Sequence, residues 1–253
     1  MPAMSDNPAP ATVDFGYRQV APEAKRGLVG AVFARVAPRY DLMNDLMSLG
    51  VHRAWKRVFV TRLAPRPGRR LLDLAGGTGD ICFGWLARGG GPALLSDINP
   101  AMLAVGRERA TARGRLAELS LLVADAEHLP LPDRCMDAVS IAFGLRNCTD
   151  KPAVLAEARR VLRPGGRFFC LEFSRVQVAA LQPLYDAWSF AVLPRLGAAV
   201  AGDGPSYRYL VESIRTFPDQ PTLAAMLERA GLARVEVQNL SGGIAAIHSG
   251  WRL

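Results

Sequence analysis

The residues best suited to chemistry stand at three points in the chain. The first is the run Asp73-Leu74-Ala75-Gly76-Gly77-Thr78-Gly79-Asp80. Glycines at Gly77 and Gly79 let a backbone approach a ligand closely, and a helix opening there offers free N–H groups. The dinucleotide pattern G-x-G-x-x-G fails: counted from Gly77, the last glycine position holds Cys82. The second point is Asp97, eighteen residues beyond Gly79. A carboxylate there accepts from both hydroxyls of a ribose, and it equally suits a helix N-cap before Pro100, a task Asn99 serves as well. The third is Asp125-Ala126-Glu127. Asp125 suits the exocyclic amine of a base, with the Ala126 N–H donating to a ring nitrogen. Three such features at three successive strand ends would line the crevice where open α/β sheets bind ligands.

The elements that position them follow from hydrophobic pattern. Short apolar runs at Leu71–Leu74, Ala93–Ser96, Leu119–Ala124, Ala138–Ala142 and Arg167–Glu172 alternate with helical segments, which predicts a parallel, doubly wound sheet. Between the last two runs, Val154, Ala158, Val161 and Leu162 share one helix face, with Pro164-Gly165-Gly166 as the stop. Pro221 opens a further helix, with Leu223, Met226, Leu227 and Ala230 inward and Gly231 closing it. Arg234–Leu240 and Ile244–Ser249 are joined by only Ser241-Gly242-Gly243, so they should form an antiparallel hairpin. Ahead of the sheet, residues 1–25 read as a flexible arm and residues 26–66 as a helical cap. Residues 67–253 read as the ligand-binding domain, with an apolar, aromatic helical insert at 180–215.

Composition sets bounds on function. Half of the 253 residues are hydrophobic and 21% are charged, which excludes a disordered chain. The net charge of +8 is local: residues 1–70 carry an excess of seven positive charges and the remainder only one. That segment suits anionic lipid, nucleic acid or an acidic partner, or is simply a solvated surface. Cys82, Cys135, Cys148 and Cys170 form no C-x-x-C pair, and with three scattered histidines they give no metal-ligand pattern. Residues 1–20 hold Asp6, Asp14, several prolines and no apolar run, so no signal peptide is expected. The most apolar stretch, 187–200, is too short to span a bilayer and is interrupted by Pro194 and Arg195. The expectation is a cytoplasmic protein, soluble or peripheral on a membrane.

The glycine turn, the two acids and the terminal hairpin resemble the class I S-adenosylmethionine (SAM) methyltransferases, a Rossmann-like α/β fold. Its seven-stranded sheet is mostly parallel, with an antiparallel C-terminal hairpin. The resemblance narrows further. Tyr40-Asp41-Leu42-Met43-Asn44-Asp45, Ser48-Leu49-Gly50 and His52-Arg53-Ala54-Trp55-Lys56 are similar to blocks of the UbiE/Coq5 quinone C-methyltransferases. So are Phe143-Gly144-Leu145-Arg146-Asn147 and Ser206-Tyr207-Arg208-Tyr209-Leu210 with Ser213-Ile214-Arg215. The likeness runs from about Phe33 to Leu253. It implies methyl transfer from SAM to a ring carbon of a polyprenylated benzoquinol or naphthoquinol, in ubiquinone or menaquinone biosynthesis. The family's cofactor positions fall on Thr78, Asp97, Asp125 and Ala126, beside Gly77 and Gly79. Many members carry Asn at the position of Asp125, and Ser at that of Ala142. Ser140 lies two residues back on the same strand side.

The resemblance also suggests where the acceptor sits. Transfer to carbon needs an electron-rich ring, so the quinol rather than the quinone should react. Arg146, after the fourth strand, would clamp the developing phenolate, or else form a structural ion pair, with Asp150 as the candidate. His52 is a candidate general base, or a surface histidine beside Arg53 and Lys56. Tyr40 and Tyr207 suit a ring hydroxyl or plain packing, and Asp80 suits the SAM ammonium. The insert 181–200 is core helix or lid over a prenyl channel. Expected partners are the quinol substrate, a membrane surface and other quinone-biosynthesis enzymes, with no nucleic acid. Two other readings stay open: a SAM methyltransferase of another small hydrophobic acceptor, and a SAM-binding assembly protein without turnover.

Overall fold

The computed structural model describes residues 12–36, 45, 48, 50–188 and 204–253. Nine strands are present among them. β1 (Val13–Phe15) and β2 (Arg18–Val20) pair antiparallel with each other. Then follow α1 (Pro22–Val36), α2 (His52–Leu63), β3 (Leu71–Leu74), α3 (Asp80–Ala87), β4 (Ala93–Asp97), α4 (Pro100–Ala112) and β5 (Leu119–Val123). The second half runs β6 (Met136–Ala142), α5 (Lys151–Val161), β7 (Leu162–Phe173), α6 (Gln182–Ala187), α7 (Gly204–Thr216), α8 (Gln220–Arg229), β8 (Ala233–Leu240) and β9 (Ala245–Trp251). The main sheet has the order β5-β4-β3-β6-β7-β9-β8. β5 to β7 are parallel neighbours, whereas β9 lies antiparallel to both β7 and β8. The sheet therefore has the expected parallel body and antiparallel terminal hairpin.

Strand periodicity explains the two layers of core. In β3, Leu71 faces one side with Trp55, Phe59, Ile81 and Leu210. Leu72 and Leu74 face the other with Val154, Leu155, Leu223 and Leu227. Both faces are covered, so the strand reads as a continuous apolar run broken only by Asp73. Helix starts are encoded locally. Asn99, Asp150 and Asp219 each accept the N–H two or three residues on, with a proline in the first turn of the helix. Asn99 thus caps α4, and Asp97 is left for other work.

Two expectations differ from the structure. The stretch read as a flexible arm carries the β1–β2 hairpin and the start of α1, held to the body by Phe15 stacked on Tyr209 at 4.2 Å. Leu162, read as the last helical residue of α5, instead begins β7. Its φ of −67° and ψ of 140° are extended, and it pairs with Met136. The cause is Pro164, which pushes Arg163 out of the helical region and so ends the helix early. Of the insert, α6 and α7 are described. Residues 189–203 lie outside the described residues, as does Tyr40.

Candidate active site

The carboxyl ends of β3, β4, β5 and β6 open on a crevice of about 840 Å³ including its mouth. Gly77, Asp97, Asp125 and Ala126 all line it. Gly77 sits at φ +58°, a conformation that glycine adopts freely, and a side chain there would press on Met102 at 3.1 Å. Its N–H donates to Asp97 Oδ2 at 2.9 Å, and the Asn99 N–H donates to Oδ1 at 2.8 Å. The two bonds fix the plane of a nearly buried carboxylate. Each oxygen keeps a further lone pair, which suits a vicinal diol. Burial raises the Asp97 pKa against those backbone donors. At the next strand end, Asp125 Oδ1 accepts the Glu127 N–H at 2.9 Å. Ile98, Met102 and Ala124 supply apolar walls between the two acids. A slot with apolar walls and two acids from neighbouring strand ends has the groups expected for the adenosine part of SAM.

Thr78 and Gly79, expected beside the cofactor, lie on the same turn but do not line the main crevice among the described residues. Gly79 has φ +90° and is the N-cap of α3; a side chain there would meet Leu95 and Phe83 at 3.1 Å. It lets helix and sheet pack closely. Thr78 lines a smaller recess behind the turn with Lys56, Asp73, Asp80 and Ala142. Its hydroxyl accepts from Arg109, which also donates to Asp80 at 2.8 Å. Lys56 reaches Asp80 at 2.7 Å. Burial pushes the Asp80 pKa up, but the two cations outweigh it and hold the group below the ordinary carboxylate range. Asp73 is fully buried under the turn, accepting from Ser140 Oγ at 2.7 Å and lying 3.8 Å from Cys82 Sγ. Burial raises its pKa to about 7, partly offset by Ser140. Ser140 is therefore committed inside the sheet and does not replace the hydroxyl missing at Ala142.

The acceptor-side residues are more deeply tied in than their sequence suggests. Arg146 is 5% exposed and does not line the crevice. Its guanidinium donates to Glu172 at 2.9 and 3.1 Å and to the Phe143 carbonyl at 2.7 Å, and lies over Phe173. The expected pairing with Asp150 is corrected: that carboxylate caps α5. Glu172, on β7, also accepts the Arg146 N–H at 3.3 Å, so the pair folds the Phe143–Asn147 segment down onto the sheet. Asn147, which lines the crevice, accepts from Tyr209 Oη at 3.1 Å. His52 is not a surface residue: it is 4% exposed, with Nε2 2.9 Å from Asp45 Oδ1 and Nδ1 buried without a partner. Burial lowers its pKa, against the opposing pull of Asp45. Tyr207 is buried in the core.

Helix α1 supplies residues that sequence reasoning missed. Arg26 bridges Asp125 at 3.2 Å and Glu127 at 2.9 Å. Lys25 Nζ donates to the Cys148 carbonyl at 2.9 Å, and burial lowers its pKa to about 8, aided by Lys151. Glu127 accepts the N–H groups of Thr149 and Asp150 at 2.6 and 3.0 Å. Cys148 lines the crevice but is no nucleophile: burial pushes its thiol to about 12, with Glu127 adding to the effect. These contacts join residues about a hundred positions apart. The only local signal was the Lys25-Arg26 pair itself.

Comparison with known proteins bears on the fold and the family. Solved structures share the fold. One is a SAM-dependent methyltransferase from Thermotoga maritima, with TM-score 0.62, 16% identity and coverage of 89% of this chain and 100% of that one. Another is a phosphoethanolamine N-methyltransferase of Haemonchus contortus in complex with SAM, with TM-score 0.55, 17% identity and coverage of 74% and 39%. Among curated proteins, the ubiquinone/menaquinone biosynthesis C-methyltransferase UbiE of Acidiphilium cryptum is 69% identical, across 96% of this chain and 97% of its own length. The UbiE of Paracoccus denitrificans is 55% identical, across 96% and 98%. Residues 18–252 match the family as a whole, and the chain belongs to the ubiE/COQ5 methyltransferase family.

Proposed function

We infer that this chain is a SAM-dependent C-methyltransferase of ubiquinone and menaquinone biosynthesis, acting on the ring of a polyprenylated benzoquinol or demethylmenaquinol. One observation carries the reading. In a chain of this family, Gly77, Asp97 and Asp125 converge from three strand ends on one crevice. When bound, SAM supplies an electrophilic methyl group on a sulfonium. Asp97 binds the ribose diol, with its carboxylate already oriented by Gly77 and Asn99. Asp125 and the Ala126 N–H hold the adenine edge. Arg26, from α1, closes this wall through Asp125 and Glu127 and excludes water from it.

The acceptor carbon must be electron-rich, which an ionised quinol hydroxyl provides and a quinone does not. Its geometry must also be held near 3–3.5 Å from the methyl, about the reach of a near-attack contact. The pairing of Arg146 with Glu172 favours a positioning role for Arg146, setting the Phe143–Asn147 wall, over direct contact with a phenolate. Arg146→Lys keeps the charge but loses the forked hold. Turnover should fall about tenfold or more with SAM affinity nearly intact. Equal losses in both would remove Arg146 from the acceptor side. The basic N-terminal segment, with Arg53, Arg57 and Arg62 exposed on α2, supports reversible docking on an anionic membrane. No helix among the described residues is long and apolar enough to cross one. Contact with other quinone-biosynthesis enzymes belongs to the same reading.

The deciding experiment is transfer of labelled methyl from SAM to short-chain demethylated benzoquinol and naphthoquinol, each reduced and oxidised. Transfer to reduced rings alone supports quinol C-methylation, and the preferred ring names the branch. SAM binding without transfer to any ring overturns the substrate assignment.

A further inference from the structure

A second cavity lies at the opposite end of the sheet. Its wall includes Asp137 and Ala138 at the start of β6, Arg167 beside them on β7, and Trp251 at the end of β9. The crevice described above opens at the other ends of these parallel strands, so the two cavities do not communicate. The second has a volume of about 660 Å³ counted out into open solvent at its mouth.

Its charge is one-sided. Four guanidinium groups line it: Arg62 at the end of α2, Arg66 and Arg69 in the following loop, and Arg167 from the sheet. The one carboxylate in the lining, Asp137, is already taken by Arg163 at 3.3 Å and by the Arg70 N–H at 2.8 Å. Glu236, at the rim, is shared between Arg62 and Arg167. Arg66 and Arg69 pair with no carboxylate among the described residues. Most buried or half-buried arginines elsewhere in the fold are committed, as Arg146 is to Glu172 and Arg160 to Glu157 and Asp133.

The floor is built to hold such a cluster in place. Arg167 is sandwiched between Phe169 at 4.8 Å and Trp251 at 4.9 Å, and donates to Ser249 Oγ at 2.7 Å. Its Nε is buried and has no hydrogen-bond partner. A buried N–H left unpaired is costly unless an acceptor sits against it, and Arg66 and Arg69 leave the same cavity two cations without a carboxylate among the described residues. Planar guanidinium forks suit tetrahedral oxyanions with several equivalent oxygens, which accept from more than one arginine at once.

We propose that this arginine-lined cavity at the amino-terminal end of the sheet binds a phosphate group, at a site separate from methyl transfer. The same oxyanion occurs in a soluble phosphate and in a phospholipid headgroup, and the test separates these sources. Titration calorimetry with inorganic pyrophosphate at constant ionic strength should show saturable binding, one equivalent per chain, unaffected by saturating SAM. The double variant Arg66→Gln/Arg69→Gln replaces two loop side chains at the mouth and should weaken binding about tenfold or more, with SAM affinity and thermal stability unchanged. Arg66→Glu should weaken it further by adding repulsion. In parallel, vesicles of phosphatidylglycerol are sedimented with the protein. Binding that pyrophosphate displaces and the double variant loses identifies a headgroup. No displaceable vesicle binding, with pyrophosphate binding intact, identifies a soluble phosphate. Absent saturable binding of pyrophosphate, equal affinity in wild type and double variant, or loss of binding when SAM is added would each overturn the proposal.

Discussion

The two halves of the crevice under the proposed function, one for adenosine and one for the acceptor, are made in different ways. The adenosine half is assembled from residues within a few positions of a strand end. Gly77, Asp97 and Asp125 reach the crevice because β3, β4 and β5 stop where they do. Asp97 and Asp125 each accept the backbone N–H two residues on, Asp97 also accepts that of Gly77 from the neighbouring strand end, and Arg26 reaches Asp125 from afar. The acceptor half is assembled from pairs remote in sequence: Arg146 with Glu172, Asn147 with Tyr209, Lys25 with the Cys148 carbonyl. One half is a property of the sheet. The other is a property of how loops and helices are tied to it, and it should fail differently when perturbed.

The largest test of that difference is Glu172→Ala. It leaves the Arg146 guanidinium buried with only a carbonyl for company, a loss of about 3–5 kcal/mol for an uncompensated buried charge. Chemical denaturation should show that loss. Where the variant still folds, methyl transfer should drop much further than SAM affinity, because the adenosine half does not depend on the pair. Replacing both partners, as Arg146→Met with Glu172→Leu, should recover stability but not turnover. Recovery of both would mean that the pair serves packing alone.

This contrast also explains what was legible in the sequence. The five parallel strands could be read because each contains a short apolar run bounded by turn residues, although the start of β7 at Leu162–Gly166 read as helix end and turn, and the terminal hairpin could be read from its three-residue connection. The adenosine half followed, since its acids sit directly after those runs. Arg146 was visible as a residue but not its partner: Glu172 lies inside an apolar strand, where nothing local marks it as a carboxylate facing a cation. His52 looked exposed because Arg53 and Lys56 flank it, yet helical spacing turns it inward with Trp55 and Phe59. Which side of the glycine turn Thr78 faces could not be read, because that depends on the turn's φ values; it lines the smaller recess with Asp80. The β1–β2 hairpin is three residues a side, too short for alternation to show.

Asp73 lies at the joint between the halves, on β3 but held by Ser140 of β6 and Cys82 of α3. Its folded pKa of about 7 stands above the unfolded value near 3.9. A carboxyl raised in this way contributes most below the unfolded pKa, and its contribution is lost as pH rises through the folded one. Stability should therefore decline from about pH 4 to about pH 7 and level off above, by up to roughly 4 kcal/mol from this group. Asp73→Asn keeps an acceptor for Ser140 and removes the titration. The difference in Tm between variant and wild type should widen over that range in the variant's favour. A constant difference at all pH values would mean that Asp73 is not the titrating group.

Within the adenosine half, Asp97→Ala should weaken SAM by about 2–3 kcal/mol, the loss of charge-assisted hydrogen bonds, or roughly 30- to 150-fold in Kd. The turn also loses the acceptor that fixes the Gly77 and Asn99 N–H groups, so Asp97→Asn should recover part of the affinity. Saturating SAM should restore most of the turnover in both variants. That outcome separates this half from the other, where no cofactor concentration compensates.

The smallest effect sharpens the boundary between them. Tyr209 donates to Asn147 at 3.1 Å and stacks on Phe15 of β1, so it links helix α7, the N-terminal hairpin and the crevice wall. Burial raises the Tyr209 pKa, so the hydroxyl stays protonated and able to donate at any working pH. Tyr209→Phe removes one hydrogen bond and leaves the ring stack, at a cost of about 1 kcal/mol. If Asn147 belongs to the acceptor half, that loss should appear as a severalfold rise in the quinol KM with SAM affinity unmoved. If SAM affinity falls instead, the boundary lies elsewhere, and the Phe143–Asn147 segment serves the cofactor. Tyr209→Leu should add loss of stability through the stack without changing which substrate is affected, because the wall moves the same way whether the hydroxyl or the whole ring is removed.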